Sequence, residues 1–534
     1  MNRRHWAGRG WTGRRWAATA AVAAATLAVA GCSAGGGAGT GDGDAGDPVS
    51  GGTLTWGVPA EPSAGGIDPM VASAIAAEVI DSIAYDTLLT RDDDGTVEPA
   101  LATEWEQPDE LTWVFQLRDD VTFADGSPFD AGDVVYSFET RKDGGTNATY
   151  LNLMESVEAT GDHEVTFHFS APDGTFLDAV SARQTFLIVS EEAYGNASEE
   201  ERQTTTVGTG AFQVTEWKQG VSVTLEKNEN YWGEEPYLDT IVFELYPDEN
   251  TLLAAVQQGS VQAASFIDGS LAQQAASSGF TLGDAAFRQN LAIYINPEQG
   301  PLADIDVRRA ISLALDRQAI VDTAMLGNAG ISFVPPAGDP GATDAAKLPY
   351  YERDVDEAKR LLAEAGQPNP EITLSYMGDV AAAHHPVYEM MQQQLAEAGI
   401  TLNLKATPLA EISPIFTTGE SWTDLVAIPG SPRASAAYYL EPVLLEGGYY
   451  NHWDGNPDAE KARELLVQAK SAATPEEYND LVAQLANEAA DKALEFVPAA
   501  VPVYFEVWDA NKLHDYTNDA FYSRSALDHA WLTQ

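Results

Sequence analysis

The chain has 534 residues and a single cysteine, Cys32. One cysteine cannot close an intramolecular disulfide, and one thiolate cannot supply a multi-cysteine metal site. A protein of this size must therefore be held together by packed apolar cores and by hydrogen bonds. If the segment ending at Cys32 is removed, 502 residues remain. That length is too great for one core, so two or three domains are expected.

The segment that ends at Cys32 has the pattern of an export signal. Met1–Arg15 carries five arginines and no acid, and Trp16–Ala30 carries no charge. A basic stretch, a short apolar run and small residues after it are typical of a signal peptide. The final residues, Val29-Ala30-Gly31-Cys32, resemble a bacterial lipobox, in which the cysteine accepts a diacylglycerol and the chain is cut before it. The alternative is an ordinary signal peptide with an incidental cysteine, and Arg14-Arg15 leaves both the general and the twin-arginine export routes open.

Residues 33–50 have the composition of a tether. They are almost entirely glycine, serine, alanine and aspartate, which predicts a flexible coil. Two or three acyl chains on Cys32 would give stable anchoring. We therefore predict a signal peptide at residues 1–32, a tether at 33–50, and a body held at the extracytoplasmic face of the cell membrane by lipid alone.

The charge of the chain excludes several partners. Without the five arginines of residues 1–32, 24 basic residues face 81 acidic ones, a formal charge of −57. A surface of this sign repels nucleic acid and anionic lipid. The composition is nevertheless that of a globular protein, with 44% hydrophobic residues and 12 tryptophans. We expect no nucleic acid partner, no direct membrane binding by the body, and a monomer.

Periodicity along the chain predicts an α/β fold. The stretch GGTLTWGV alternates apolar residues as a strand does. EITLSYM, a helix around PVYEMMQQQLAEAG, and ITLNLKAT form a β-α-β unit, which implies parallel strands. Asp354 with Glu357 is a helix-capping pattern, and Gly366 is placed to end that helix. Thr474-Pro475 similarly predicts the start of a long helix that runs towards Lys492.

Signals for catalysis and metal binding are weak. The predicted body, residues 51–534, contains no Gly-x-Ser-x-Gly, no His-Glu-x-x-His and no cysteine nucleophile. His163 and His168 lie five residues apart in an alternating stretch, so a strand would point their rings to opposite faces. His384-His385 leaves a nickel contact open beside the simpler reading of solvent-facing histidines. We expect no cofactor, no metal requirement and no enzyme activity, although paired acids for glycoside cleavage remain an alternative.

Several long stretches resemble one protein family in the order that the family has them. Residues 98–139 are similar to its signature region, and residues 207–248 to its second recurring segment, with Gly208, Gly210, Trp217, Tyr231 and Trp232 in place. Later stretches at residues 306–321, 354–366 and 475–505 are similar as well. The family is that of the bacterial extracellular solute-binding proteins, family 5, which includes oligopeptide, dipeptide and nickel receptors of ABC importers. The resemblance covers about residues 51 to 510.

The resemblance implies a fold and a function. The fold is a class II periplasmic-binding-protein fold: two hinged α/β lobes, with an extra subdomain on lobe I. We place lobe I at residues 51–288 with a return at 502–534, the extra subdomain at about 84–194, and lobe II at 289–501. The implied function is capture of a peptide or similar small solute between the lobes and delivery to a permease with its ATPase. The alternatives are a lipid-anchored hydrolase and a ligand sensor without import.

Ligand contacts are expected in loops that follow the carboxyl ends of strands. After the strand DLVAI, the loop reads PGSPRASAAYY and has no acid, where peptide-binding relatives usually place an aspartate for the ligand's ammonium group. Ser431 and Arg433 are candidates there, since a guanidinium can hold a carboxylate or phosphate; the alternative for Arg433 is a surface arginine. Glu61, after the first strand, is a further candidate.

Aromatic residues of the second half supply the remaining candidates. They could line a pocket by stacking or apolar contact, and core packing is the alternative for each. The predicted contacts are Trp422, Tyr438, Tyr449, Tyr450 and Trp453, with Tyr439 and His452 in the same cluster.

Overall fold

The structure is a computed structural model of the chain. It describes residues 47–62, 66–72, 75–91, 96–145, 148–182, 186–283, 289–298, 300–334, 343–378, 384–408, 411–412, 422, 424–429, 436–445, 448, 450–472, 474–501, 504–517 and 525–533. Cys32 and the predicted tether up to residue 46 lie outside these ranges.

The strands of the described residues form two large sheets, one four-stranded sheet and two small pairs. They are β1 (Thr53–Val58), β2 (Leu89–Arg91), β3 (Val97–Pro99), β4 (Ala102–Asp109), β5 (Thr112–Leu117), β6 (Met154–Gly161), β7 (Glu164–Phe169), β8 (Phe212–Lys218), β9 (Ser222–Lys227), β10 (Thr240–Leu245), β11 (Ala263–Phe266), β12 (Thr281–Leu282), β13 (Gln289–Ile295), β14 (Glu371–Met377), β15 (Thr401–Thr407), β16 (Leu425–Pro429), β17 (Glu495–Phe496), β18 (Ala500–Val501), β19 (Phe505–Trp508), β20 (Leu513–His514) and β21 (Trp531–Leu532).

The helices cover the sheets and join their strands. They are α1 (Ile75–Ala84), α2 (Ala131–Lys142), α3 (Phe176–Ser181), α4 (Glu191–Asn196), α5 (Glu199–Thr204), α6 (Glu249–Gln257), α7 (Gly269–Ser277), α8 (Ile305–Ala314), α9 (Arg317–Ala319), α10 (Val355–Glu364), α11 (His385–Glu397), α12 (Ala436–Leu444), α13 (Pro457–Lys470), α14 (Pro475–Asp491) and α15 (Ser525–Asp528). None of these described helices has both the length and the apolar character that a membrane crossing requires.

The first large sheet has seven strands in the order β12-β19-β11-β1-β10-β9-β8. β1 lies at its centre, parallel to β10 on one side and to β11 on the other. Leu54 and Trp56 of β1 point into the core, as the alternation of the sequence predicts. β19 comes from the end of the chain and pairs antiparallel with β11. The sheet therefore joins segments that are far apart in sequence.

The second large sheet has the order β15-β14-β16-β13-β17, with β18 also paired to β13. The predicted β-α-β unit is confirmed: β14 and β15 are parallel in continuous register, and α11 connects them. The predicted helix signals are confirmed too. Asp354 accepts a hydrogen bond from the amide of Glu357, Thr474 from that of Glu477, and Gly366 follows α10 with a positive φ.

A separate four-stranded sheet has the order β4-β5-β7-β6 and its own hydrophobic core. In the sequence, its strands lie between β1 and β8, which both belong to the first sheet. The core is rich in phenylalanine; Phe167, for instance, has edge-on or tilted contacts with Phe115, Phe138 and Phe176. The stretch around His163 and His168 is the strand β7, as predicted, with Val165 and Phe167 fully buried.

The chain passes between the two large sheets twice. It leaves the first sheet after β12 and enters the second at β13; it returns between β18 and β19. Both passages use the same edge of the first sheet. β12 is antiparallel to β19 and therefore ends on the side where β19 begins, at Phe505. Phe505 in turn pairs with Phe266, the last residue of β11. We call this edge, where β1 and β11 also end, the crossover edge.

Candidate functional site

A cavity opens at the crossover edge of the first sheet. Its floor and walls come from the carboxyl ends of β1, β10 and β11, from α1, and from the segment that returns as β19. Aromatic and aliphatic side chains predominate, with three carboxylates among them. The lining residues are Trp56, Val58, Ala60, Glu61, Pro62, Ala76, Val79, Ile80, Ser82, Ile83, Ser222, Val223, Phe243, Leu245, Ser265, Tyr504, Glu506, Tyr516, Leu527 and Asp528.

Glu61 is held at the rim of the cavity by two donors. Its Oε2 accepts a hydrogen bond of 2.7 Å from the amide of Gly220 and one of 3.3 Å from Nε1 of Trp217. Gly220 has a positive φ in the turn between β8 and β9, so its amide can be aimed at the carboxylate. The sequence therefore predicted a residue that does line the cavity. Its second oxygen, Oε1, leaves the carboxylate with capacity for a further donor.

Each of the other two carboxylates accepts a hydrogen bond from a tyrosine. Tyr516 donates to Oε2 of Glu506 over 2.5 Å, and Tyr231 donates to Oδ2 of Asp528 over 3.1 Å. Tyr516 additionally packs edge-on against Trp56, with ring centroids 5.1 Å apart. No lysine, arginine or histidine lines the described part of this cavity. The wall is therefore acidic and aromatic, which suits a ligand group that is cationic or donates hydrogen bonds.

Tyr504 is a cavity residue that the sequence analysis missed. It stands in the returning passage between the sheets and is one of the residues that line the cavity. Burial raises the pKa of Tyr504 well above its usual range, and the nearby carboxylates of Glu506, Glu78 and Glu249 raise it further. The phenol is therefore a stable neutral donor. The signal that could have found it is its place in a predicted crossover between the lobes.

The second sheet presents its own carboxyl ends towards the passages. Pro429 at the end of β16 pairs with Leu291, two residues after β13 begins, and β14 and β15 run parallel to β16. The loop after β16 therefore starts on the side of the crossovers, where the sequence analysis expects ligand contacts. Ser431 and Arg433, in that loop, lie outside the described residues.

The predicted aromatic contacts divide by position. Trp422 precedes β16 and so lies towards the opposite edge of the sheet, with its ring 4.1 Å from that of His452. Trp453 is 1% exposed and packs against Arg308 in the core. Tyr450 stacks on Tyr294 of β13, with ring centroids 4.2 Å apart. Packing around the second sheet accounts for the contacts of Trp422, Trp453 and Tyr450. None of the three lines the cavity at the crossover edge.

The remaining aromatic candidates cannot be placed as side chains. Tyr438 lies in α12, but its side chain is outside the described residues, as is the whole of Tyr449. Tyr439, the residue after Tyr438, does have a described side chain: it is buried and donates to Oε1 of Glu495 over 3.3 Å.

The two adjacent histidines have different surroundings. His384 is buried, and burial lowers its pKa to about 4. His385 begins α11 and stacks on Tyr376, with centroids 5.2 Å apart. Within the described residues, no group of three or more histidine, cysteine, aspartate or glutamate side chains could hold a metal ion.

Comparison with curated proteins gives relatives along much of the chain. The oligopeptide-binding protein AppA of Bacillus subtilis is 30% identical over 337 residues, which are 59% of this chain and 60% of that protein. A probable di/tripeptide-binding protein of Pseudomonas aeruginosa is 27% identical over 446 residues, 77% of this chain and 83% of its own length. The nickel-binding periplasmic protein of Escherichia coli is 27% identical over 356 residues, 60% of this chain and 66% of that protein.

Solved structures share the fold. The ABC transporter substrate-binding protein CtaP of Listeria monocytogenes superposes with a TM-score of 0.78 at 23% identity, covering 91% of this chain and all of that one. AppA of B. subtilis, solved with a nonapeptide, gives 0.76 at 22% identity with the same coverage. The fold is thus the two-lobed α/β fold of periplasmic binding proteins, as expected.

A family model matches residues 96–424, which is more than half of the chain. Its description is "Bacterial extracellular solute-binding proteins, family 5 Middle". That span contains the four-stranded sheet, β8 to β12 of the first sheet and β13 to β15 of the second, and it agrees with the resemblance seen in the sequence. The chain therefore belongs to the bacterial extracellular solute-binding proteins of family 5.

Proposed function

We propose that the protein is the extracytoplasmic binding component of an ABC importer and that it captures a peptide or similar small solute between two hinged lobes. The single observation that carries this is the acidic, aromatic cavity at the crossover edge. The cavity lies beside both passages between the proposed lobes. Bending of these passages would therefore move the second lobe towards or away from the cavity wall on the first lobe. Ligand that bridges the walls would favour the closed arrangement by its extra contacts there.

The proposed lobes follow the boundaries expected from the sequence. Lobe I (residues 51–288 and 502–534) would contain the first sheet, with the four-stranded sheet as the core of the extra subdomain at about 84–194. Lobe II (residues 289–501) would contain the second sheet. The assignment of β19 to the first sheet and of β17 and β18 to the second supports the return near residue 502.

The proposed ligand meets different chemistry on the two lobes. On lobe I, Glu61, Glu506 and Tyr504 offer acceptors and aromatic surface to a cationic or donor group. On lobe II, the loop with Ser431 and Arg433 would take an anionic or strongly accepting group, as a guanidinium does with a carboxylate. A peptide-like solute carries both kinds of group. The names of the relatives from B. subtilis and P. aeruginosa support the same substrate class.

The test is to titrate the purified protein with an equimolar mixture of di- to hexapeptides. Native mass spectrometry would identify the species retained, and calorimetry would measure the affinity for each. We expect saturable binding of one peptide per protein, with the peptide recovered intact. Recovery of cleaved peptide would instead favour the hydrolase, and absence of any retained peptide would contradict the proposed substrate class.

We also propose that Cys32 is the lipidated amino terminus and that residues 33–50 tether the body to the membrane. In cells, the natural protein should partition into the detergent phase of a Triton X-114 extract. Cys32→Ser should move it to the aqueous phase, because the acyl chains supply the anchoring free energy. A Cys32→Ser protein that still enters the detergent phase would contradict the lipid anchor.

A further inference from the structure

A loop of the extra subdomain contacts the end of α13, outside both crossover passages. The amide of Gly174 donates to the carbonyl oxygen of Lys470, the last residue of α13. There is no room for a side chain here: a Cβ on Gly174 would lie 2.7 Å from the carbonyl oxygen of Ala472 and 3.1 Å from that of Lys470. The contact thus depends on close backbone approach, which glycine permits.

The loop is rigid where it makes this contact. Oδ1 of Asp173 accepts hydrogen bonds from both the amide and the hydroxyl of Thr175, at 3.0 and 2.6 Å. Both side chains are buried. The turn that presents Gly174 is therefore held by hydrogen bonds between its own residues.

Charged groups are buried around the contact. Nζ of Lys470 pairs with Oε1 of Glu441 at 2.8 Å, and their side chains are 6% and 7% exposed. Burial raises the pKa of Asp173 and that of Glu441, and the Lys470 ammonium opposes the rise in both. Oδ2 of Asp173 and Oε2 of Glu441 are buried without a hydrogen-bond partner. Two carboxylates therefore share the charge of one ammonium.

The contact also reaches the proposed ligand loop. Glu441 belongs to α12, which begins directly after the loop that contains Ser431 and Arg433. A path of direct contacts runs from the subdomain turn through Lys470 to Glu441 and the helix behind the ligand loop. The turn belongs to the proposed lobe I and the helices to the proposed lobe II.

We propose that the turn 173–175 docked on the end of α13 is a latch that holds the two lobes closed. This rests on the hinged lobes of the proposed function. Since both crossovers lie elsewhere, opening the lobes must break the Gly174–Lys470 hydrogen bond, which favours the closed form. Opening also returns the buried charges to water, which favours the open form. The latch sets the fraction of ligand-free protein that is closed. The apparent affinity for a solute depends on this fraction, because binding energy that is used to close the lobes does not contribute to affinity.

The experiment measures the distance between the lobes without ligand. In the full-length Cys32→Ser chain, which has no other cysteine, exposed Glu155 and Gln484 are replaced by cysteine and spin-labelled. Pulsed EPR on this parent should give one predominant distance between the two spin labels, the shorter one that belongs to the closed arrangement. Gly174→Ala should add a longer distance and raise the open population about tenfold, by loss of the hydrogen bond and by steric conflict. Gly161→Ala, where an added Cβ meets only ordinary contacts at 3.4 Å, is the matched control and should match the parent.

A second variant tests the charges with the opposite expected sign. Asp173→Asn keeps an oxygen that can accept from Thr175 but removes one of the two carboxylates that share Lys470. Because burying the charged form is the costly part, Asn should increase the closed population relative to the parent. A purely structural turn would not give opposite shifts for the two neighbouring substitutions.

The outcomes separate this proposal from the proposed function. If Gly174→Ala leaves the distance distribution of the parent unchanged, or unfolds the protein without a longer distance while Asp173→Asn has no effect, the contact is a fixed interface and the latch is overturned. The distances are measured without solute, so failure to bind any peptide would overturn the substrate class and leave this result standing.

Discussion

The interior of the second sheet and the cavity wall of the first use charged side chains in opposite ways. Around the second sheet, Arg308, Arg317 and Glu495 are almost completely removed from water. In the cavity wall, Glu61 and Glu506 are only half-buried and each is steadied by a local donor. A buried charge is costly unless its partners are in place, whereas a half-exposed one can change partners. We infer that the first group maintains the fold and the second is available to a ligand.

Arg317 illustrates the first group. Its guanidinium donates to the carbonyl oxygens of Val497, Ser312 and Tyr351 at 3.0–3.2 Å, and lies 3.7 Å above the ring of Tyr351. It thereby joins the end of α8, the segment before α10 and the strand region after α14. Three chain segments depend on one planar group with fixed donors.

The largest expected effect is therefore that of Arg317→Met. It should lower the free energy of unfolding by about 4 kcal/mol, because buried carbonyl oxygens lose their donors. Arg360→Met is the matched control: Arg360 is exposed and paired with Glu357 and Glu364, and because water screens these pairs the substitution should cost far less stability. Urea unfolding followed by tryptophan fluorescence measures both. Equal losses for the two variants would break the distinction between buried and exposed charges.

A smaller loss of stability is expected from a substitution where the extra subdomain joins the first sheet. A Cβ on Gly208 would lie 2.0 Å from the carbonyl oxygen of Ala84, a backbone atom that cannot move freely. Gly208→Ala should therefore destabilise the protein by about 2 kcal/mol through overpacking. In Gly195→Ala the new methyl meets Tyr136 at an ordinary 3.6 Å, so this control should stay close to the natural protein in the same urea titration.

Gly208 also shows what the sequence can and cannot predict. Local patterns were sufficient for the β-α-β unit, for the helix starts at Asp354 and Thr474, and for the strand after His163, because periodicity and capping act over a few residues. The resemblance assigns Gly208 to a recurring segment of the family, inside the span that the family model matches. Its reason, contact with the backbone of Ala84, depends on two segments more than a hundred residues apart.

The candidate site was predicted less completely for the same reason. Glu61 was predicted because it lies in the loop after a recognisable strand, and it lines the cavity. Tyr504 and Glu506 were missed, since only the pairing of β19 with β11 brings them beside Trp56. Trp453 was selected for its aromatic character, although burial against Arg308 is a property of the folded chain. Residue type suggested chemistry, but topology decides which side chains meet.

The third prediction uses pH to separate the two regions. Glu495 pairs in the sheet opposite Tyr294, and burial raises its pKa from 4.5 to about 8, while Tyr439 donates to it. With a folded pKa above the unfolded one, the folded state holds the extra proton between these values, so stability falls as pH rises from about 5 to about 8.

Glu495→Gln should remove this slope and gain at least about 1 kcal/mol over the natural protein at about pH 8, with little difference near pH 5. The exposed Glu460→Gln should leave the slope unchanged. Urea unfolding at several pH values tests both. A Glu495→Gln protein that keeps the slope of the natural one would show that another group carries it.

The smallest effect on stability, and the one that matters for binding, is expected at Glu61. Glu61→Gln keeps an oxygen to accept from Gly220 and Trp217 and removes only the charge at the cavity rim. A charge-assisted hydrogen bond to a ligand ammonium is strong, but Glu61 is half-exposed, so we expect about tenfold weaker binding. The probes are a peptide retained in the native mass spectra and its N-acetylated form, titrated calorimetrically. Only the free amine should lose affinity, while the urea midpoint stays constant.

Two further variants sharpen that result. Glu61→Ala also removes the acceptor that steadies the Gly220 turn, so it should weaken both probes. Glu226→Gln, an exposed change on β9 away from the cavity, should affect neither. If Glu61→Gln lowers the affinity for the acetylated peptide as much as for the free amine, Glu61 acts by shaping the rim. The acidic wall would then not be the feature that selects the charge of the ligand, and the loop of Arg433 would be the place to look for selectivity.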